Sequence, residues 1–132
     1  MIGDSIATAA IQRALDGVWR REKTVGANIA NHDTPGYKAV KVEFEDELKK
    51  VIRKFSVKSA SKTEFLNNLE IIKNSPITAV KDQTYIERAD SSNVNLEYEN
   101  IEMAKAQLQY SYLSREITDH FTRLRYAIRE GR

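Results

Sequence analysis

The feature that most constrains this chain is its long stretch from Asn93 to about Arg129, which contains no proline or glycine and in which core-type residues step by four and three. Such steps place side chains along one face of a helix and are typical of a coiled-coil seam. Asn93 or Asn95 can cap this helix, which is predicted to run to about Arg129. The seam consists of Met103, Gln107, Tyr110, Ser114, Ile117, Phe121, Leu124 and Ile128, widened by Leu108 and Leu113.

A second amphipathic stretch opens the chain and has no proline between Ile2 and Asn31. Asp4 or Ser5 can cap it, so we expect a helix from there to about Asn31. At about 1.5 Å per residue, each terminal helix should be about 40 Å long or more. The polar Glu22 interrupts this seam. A polar residue at such a position usually lowers stability but selects the register or the partner of the helix. The seam steps through Ile11, Leu15, Val18, Glu22, Val25 and Ile29.

The first helix is predicted to stop before the sequence Thr-Pro-Gly-Tyr at residues 34–37. Proline fixes the first turn dihedral, and Gly36 accepts the positive φ that a type II turn needs next. Beyond the turn, apolar residues alternate with charged ones at 40–44, which predicts a short half-buried strand. From Phe44 to about Arg53 the spacing becomes helical, with Phe44, Leu48, Val51 and Ile52 on one face.

The rest of the middle is less regular. Residues 61–64 form a possible capping box for a turn of helix through Phe65, Leu66 and Leu69, and Pro76 breaks the pattern beyond that turn. Residues 84–86 are a possible strand. The predicted fold is mainly α, with two long terminal helices packed as an antiparallel coiled-coil hairpin around a small irregular and β-containing middle segment. The predicted division is a helical domain of 1–34 plus 93–132, with a middle segment at 35–92.

Composition excludes several classes of protein. With 132 residues there is room for one domain, and no apolar stretch approaches the roughly 20 residues that span a bilayer. The absence of cysteine excludes disulfides, zinc–thiolate sites and thiol nucleophiles. A net charge of +2 is too small to predict a polyanionic partner. The start of the chain lacks the pattern of a secretory signal, so the ordinary export route is not expected.

Neither enzymatic chemistry nor a metal or other cofactor is predicted. His32 and His120 are isolated, no glycine-rich loop or nucleophile motif occurs, and His120 is expected to be a partly exposed helix residue. The basic residues between Lys49 and Lys62 are the best argument for binding nucleic acid or anionic membranes. Four acidic residues immediately precede them at 43–47 and no aromatic stacking motif is interleaved, so a solvated helix face is the simpler interpretation.

Residues 28–38, with the sequence NIANHDTPGYK, resemble the signature that ends the first helix in flagellar rod, hook and hook-associated proteins. Within that family, residues 42–45 (VEFE) and the last helix, from LEYE at 96–99 to FTRLRYAI at 121–128, resemble the proximal rod subunits. The likeness covers both ends, about half of the chain. Ser91 and Ser92 stand where relatives commonly have Gly-Asn, and residues 55–84 carry no matching motif.

The resemblance implies a structural subunit of the proximal rod of the basal body, which transmits torque and performs no catalysis. It implies export without a cleaved signal through the flagellar type III apparatus, and a place in the periplasmic part of the flagellum. The implied partners are copies of the chain, other rod subunits, the rod-to-ring adaptor and the membrane ring, with neither nucleic acid nor direct membrane insertion. In the family, the two terminal helices lie side by side in the inner layer of a helical tube.

We expect one side of the apolar face of each terminal helix to pack against the other terminal helix, which forms the hairpin. The other side should contact neighbouring subunits. The turn should direct the following strand and Tyr37 outwards. The alternatives are a cytoplasmic helical adaptor that stops at a small oligomer, a polyanion-binding coiled coil, or a bundle whose seams are only its core. The expected signature-turn residues are Asn28, Asn31, Thr34, Pro35, Gly36 and Tyr37. The expected assembly interface is Ile11, Leu15, Val18, Val25, Ile29, Met103, Tyr110, Leu113, Ile117, Phe121, Leu124 and Ile128.

Overall fold

The computed structural model describes residues 2–55, 61–83, 89 and 92–131, and the described part is mainly helical, as predicted. None of the described helices is both long enough and apolar enough to cross a membrane. The possible strand at 84–86 lies outside the described residues. The elements are α1 (Ile2–Ala30), β1 (Val40–Glu43), α2 (Glu45–Lys54), α3 (Lys62–Lys73), β2 (Thr78–Lys81) and α4 (Leu96–Glu130).

The end of α1 and the turn after it follow from local chemistry. The N–H of Asn31 reaches the carbonyl of Ala27 at 3.1 Å, which closes the last helical turn. The Tyr37 N–H then donates to the Thr34 carbonyl at 3.2 Å across the turn. Gly36 has φ 74°, the left-handed value that a type II turn requires at its third residue. The predicted turn is confirmed.

The helix starts at α3 and α4 are set by side-chain caps. Ser61 and Glu64 form the predicted capping box, in which the Ser61 N–H donates to Glu64 Oε2 at 2.8 Å. The helix is longer than predicted and ends at Lys73, before Pro76. Of the two candidate caps for α4, Asn95 is the one used, because its Oδ1 accepts the Tyr98 N–H at 3.2 Å.

The strand β2 is the element that the sequence did not predict. It pairs antiparallel with β1, with Val40 opposite Lys81 and Val42 opposite Ala79. Its four residues, Thr-Ala-Val-Lys, lack the strong alternation that identifies β1, and all are exposed except Val80, which is half-buried. The pairing gives β1 its backbone partners, since a lone strand would leave its N–H and C=O groups open. Thus β2 exists because of its partner and not because of its own pattern.

Contacts group the chain into two compact units. Unit 1 comprises Met1–Asp16, Phe44–Pro76 and Ser111–Arg132, and unit 2 comprises Gly17–Glu43 and Ile77–Tyr110. Each long helix therefore contributes residues to both units.

In unit 1, α2 packs against α3 over a small apolar core. The side chain of Arg13 from α1 donates from Nε to the Ser75 carbonyl at 2.9 Å, and a second guanidinium nitrogen makes a shorter bond to the same oxygen. This fixes the chain just after α3 against α1. The buried apolar residues of the unit are Ala9, Phe44, Leu48 and Ile72.

In unit 2, the hairpin of β1 and β2 is tied to α1 and α4 by hydrogen bonds. Arg21 on α1 donates to the Val42 carbonyl at 2.8 Å and to Gln109 Oε1 on α4 at 3.1 Å. Arg20 reaches the Ile77 carbonyl at 3.3 Å, just before β2. The buried apolar residues of the unit are Val18, Val25, Ala39, Val42, Val94 and Ala106.

Candidate functional site

The centre of the signature motif is Asn28, which is 1% exposed and uses its complete side-chain hydrogen-bonding capacity. Its Nδ2 donates to the Val40 carbonyl at 2.8 Å and to Glu99 Oε2 at 3.0 Å. Its Oδ1 accepts the Val40 N–H at 3.1 Å and the Tyr37 hydroxyl at 3.0 Å. One amide therefore joins α1, the turn, β1 and α4.

A second asparagine repeats this arrangement just before α4. Asn93 accepts the Ala39 N–H on its Oδ1 at 2.7 Å and donates from Nδ2 to the Asp82 carbonyl at 2.8 Å. Its backbone N–H donates to the Tyr37 carbonyl at 3.3 Å. The sequence predicts Asn93 as one of two candidate caps for α4, but its amide holds the segment between the turn and β1. The segment that leads into α4 is therefore fastened to the segment that leaves α1.

The remaining turn residues bond locally. Asn31 Nδ2 donates to the Ala27 carbonyl at 2.8 Å, and the Thr34 hydroxyl donates to Asn31 Oδ1 at 3.1 Å. Pro35 is exposed, which suits a residue that acts through its fixed φ. The Tyr37 hydroxyl points to Asn28, so the prediction that Tyr37 is directed outwards is wrong. Its polar tip satisfies a buried amide, as phenols in half-buried positions commonly do.

The carboxyl group of Glu99 is the charged member of this network, and it is 2% exposed. Its pKa is raised above 4.5 because burial disfavours the ionised form, and the charges of Asp82 and Glu102 add to this, while the bond from Asn28 opposes it. Burial, followed by the charge of Glu99, also raises the pKa of Tyr37. A cavity of about 220 Å³ adjoins Glu99, and its lining includes Arg21 and Lys41 as well as Asp82 and Glu102.

The raised pKa of Glu99 predicts a pH dependence of stability. The protonated form is favoured in the folded chain, so its contribution is complete below the ordinary value of 4.5 and is lost as pH rises through the raised pKa. We therefore expect Glu99→Gln, which retains an oxygen for the Asn28 amide, to become more stable relative to wild type as pH increases. Urea denaturation of both chains between pH 4 and pH 8 measures this difference.

The matched control is Glu97→Gln, because Glu97 is an exposed residue two positions away on the same helix. Its stability difference from wild type should vary little over the same pH range. If the Glu99→Gln difference is equally flat, Glu99 is not the titrating group that the geometry indicates.

The predicted interface residues of α1 are divided between core and surface. Val18 and Val25 are buried, at 1% and 5% exposure, whereas the other three are half-buried. Such residues are in contact within the chain and also retain accessible surface. The half-buried members are Ile11, Leu15 and Ile29.

The face of α4 that is buried is not the face of the predicted seam. The most buried α4 residues are Glu99, Ala106 and His120, and Leu113 between the last two is half-buried. These positions repeat every seven residues, as one row of a seam does. The prediction that His120 is partly exposed is wrong, since it is 7% exposed. The sequence pattern does not reveal this row, because helical periodicity shows in large apolar side chains and the buried residues here are a small alanine and two polar residues.

The other predicted α4 residues lie at the edge of that row or outside it. Tyr110, Phe121 and Ile128 are 41%, 47% and 58% exposed. Leu108, which the sequence pattern predicts to widen the seam, is 72% exposed. The predicted residues that are half-buried and lie outside the row are Met103, Ile117 and Leu124.

The basic segment of α2 has the features of a solvated helix. Its first turn is acidic and its last turn is basic, an arrangement that complements the helix dipole. Lys50 pairs with Glu47 at 2.6 Å. Within the described part of the chain, no group of three or more histidine, cysteine or acidic residues is placed to hold a metal ion.

Comparison with known proteins agrees with the motif at the centre of this network. A family model described as "Flagella basal body rod protein" matches residues 20–38, which contain Asn28 and the turn. The flagellar basal body rod protein FlgB of Buchnera aphidicola is 33% identical over 75% of this chain and 76% of its own length. FlgB of Bacillus subtilis is 30% identical over 92% of both chains, and FlgB of Borrelia hermsii is 30% identical over 89% of this chain and 91% of its own.

Proposed function

The chain belongs to the FlgB family of flagellar basal body rod proteins and is a structural subunit of the proximal rod, and we propose that it builds this rod through its two terminal helices. The resulting helical shaft transmits torque to the distal rod and hook. The protein acts by being packed in place, without catalysis, a cofactor, nucleic acid or membrane insertion.

The observation that carries this proposal is the exposed apolar surface of α4. In unit 1, the large side chains of Phe121, Tyr126 and Ile128 are each between 47% and 61% exposed. On the same helix, His120 is already buried against the rest of the chain. The three exposed side chains are therefore apolar surface in addition to the face that α4 buries within its own chain. Large apolar side chains that remain exposed on a helix mark an interaction surface and are expected to be covered in a larger assembly. Neighbouring subunits supply that burial.

The proposed arrangement of each subunit is an antiparallel coiled-coil hairpin of the terminal helices. In unit 2, Asn28 bonds to Glu99, and Arg21 bonds to Gln109, so positions earlier in α1 meet positions later in α4. Continuation of this pairing gives a helical domain of residues 1–34 plus 93–132 that lies in the inner layer of the rod. Residues 35–92 form the small middle segment outside it.

The proposed partners are further copies of the chain, other rod subunits, the rod-to-ring adaptor and the membrane ring. The proposed location is the periplasmic part of the basal body, reached through the flagellar type III export apparatus without a cleaved signal. The rod relatives support this proposal, because a subunit of the same family has to reach the same structure.

Phe121→Asp tests the role of the helices in assembly. Phe121 is 47% exposed, so the free energy of unfolding of the purified chain should change by about 1 kcal/mol or less. A charge on a surface that becomes desolvated between subunits should block incorporation into the rod. We expect cells that express only this variant to lack rods beyond the membrane ring and to be non-motile, as judged by electron microscopy of basal bodies and by spreading in soft agar.

The control is Arg115→Asp, which places the same charge at an exposed position on a different side of α4. This chain should still assemble. Normal motility of cells that express Phe121→Asp, at wild-type protein levels, would contradict assembly through this helix face.

A further inference from the structure

The exposed face of α1 in unit 2 carries the sole tryptophan of the chain. Trp19 is 51% exposed, and Lys23, one turn further along the helix, places its Nζ 3.8 Å from the centroid of the ring. This is a cation–π contact, which favours the observed orientation of the indole. A large aromatic side chain that is exposed and already oriented is the kind of residue that dominates interfaces, since little freedom is lost on docking.

The α4 helix has an exposed apolar stripe in the same unit, separate from its buried row. Ile101 is 55% exposed and Leu108 is 72% exposed, with the exposed residues Ala104 and Lys105 between them. Positions i, i+3, i+4 and i+7 of a helix form the hole that receives a side chain from a facing helix. Ala104 is one of the four residues that border this hole. Because its side chain is small, the hole has room for a bulky side chain.

Charges on the two faces are complementary. Arg20 and Lys23 are exposed next to Trp19, whereas Glu97 is exposed one turn before Ile101. Lys105 at the edge of the hole is paired with Glu102 at 2.8 Å, so its charge is balanced within its own helix. A cationic aromatic face and an apolar face with an acidic end therefore occur on one chain.

We propose that Trp19 of one copy docks between Ile101 and Leu108 of a second copy, with Lys23 facing Glu97. This inference rests on the proposed function and specifies which faces of neighbouring subunits meet. When α1 of one copy lies antiparallel to α4 of the other, the helical turn after Trp19 lies beside the helical turn before Ile101. This brings Lys23 of the first copy close to Glu97 of the second. Copies that all point the same way along a rod have this orientation, since α1 and α4 run in opposite directions within each hairpin.

A second copy is the occupant that the two faces favour. The contact joins two different patches, so it is heterologous. After two copies have met, one of them still has a free Trp19 face and the other still has a free Ile101–Leu108 face. Heterologous contacts continue into rings or open helices, whereas a self-complementary patch would stop at a dimer. The same chain thus carries both halves of a contact that can propagate along a helical assembly.

The first test is a charge exchange in cells that lack the native chain. Lys23→Glu alone or Glu97→Lys alone places like charges opposite each other and should reduce the amount of chain in isolated basal bodies roughly tenfold. Coexpression of the two single variants should restore incorporation, because each copy then meets a neighbour of opposite charge. Lys49→Glu, a charge reversal on the exposed surface of α2, is the control and should leave incorporation unchanged.

The second test uses the absence of native cysteine. Chains with Lys23→Cys and chains with Glu97→Cys are coexpressed, and oxidation of basal bodies should give a disulfide-linked pair that contains one of each. Rods that assemble without this product, and charge variants that are not rescued together, would overturn the docking while leaving the rod function intact. If the chain is absent from rods that nevertheless assemble and turn, the proposed function fails instead.

Discussion

Replacement of Asn28 by alanine is expected to lower the free energy of unfolding by about 3–5 kcal/mol. The substitution removes four hydrogen bonds at once, because the amide joins both backbone groups of Val40, the Tyr37 hydroxyl and the carboxyl of Glu99. The site is 1% exposed, so water does not readily replace the lost partners. Urea denaturation followed by circular dichroism measures the change.

The control for this prediction is Asn31→Ala, which removes the same side chain one turn later on the same chain. Asn31 bonds to nearby groups, the Ala27 carbonyl and the Thr34 hydroxyl, and the residue is half-buried, so water can replace part of what is lost. We expect a loss of about 1 kcal/mol or less. If the two variants lose similar stability, the Asn28 network is no more than a helix stop.

Ile72→Ala is expected to destabilise the chain by about 2–5 kcal/mol. Ile72 is 0% exposed and is the largest fully buried side chain in the described part of the chain. It lies near the end of α3, in the small core of unit 1. Removal of its outer carbons leaves a cavity that a small core has few neighbouring side chains to fill. Thermal and urea denaturation of the purified variant test this expectation.

The neighbouring residue provides a matched comparison. Ile71 has the same side chain on the same helix but is 49% exposed. Ile71→Ala should therefore change the free energy of unfolding by about 1 kcal/mol or less. Equal losses at positions 71 and 72 would mean that α3 is not packed in the orientation described.

Features controlled by neighbouring residues in the chain were predictable. Gly36 has the positive φ that its position after Pro35 requires, and the capping box at Ser61 and Glu64 forms as the spacing indicated. Both depend on interactions within four residues, which the sequence displays directly. The family resemblance was also readable, since the motif around Asn28 is continuous in sequence.

Features controlled by distant residues were not predictable. The sequence offered Asn28 as part of a helix stop, but its partner Glu99 is 71 residues away. Nothing in the spacing of α4 indicated that Glu99 and His120 lie on the buried face, because polar residues enter a core only where specific partners compensate for their burial. The strand β2 was missed for the same reason, as its pairing with β1 decides its conformation.

By itself the sequence determined two long helices, the turn that ends the first one, and the family to which the chain belongs. Each of these depends on periodicity or on a short local motif. Only the tertiary structure decided which side of α4 faces inwards, that the Tyr37 hydroxyl meets Asn28, and that Trp19 remains exposed beside Lys23. The physical reason is that burial and polar pairing depend on which elements meet in space, and helical periodicity permits more than one face to do so.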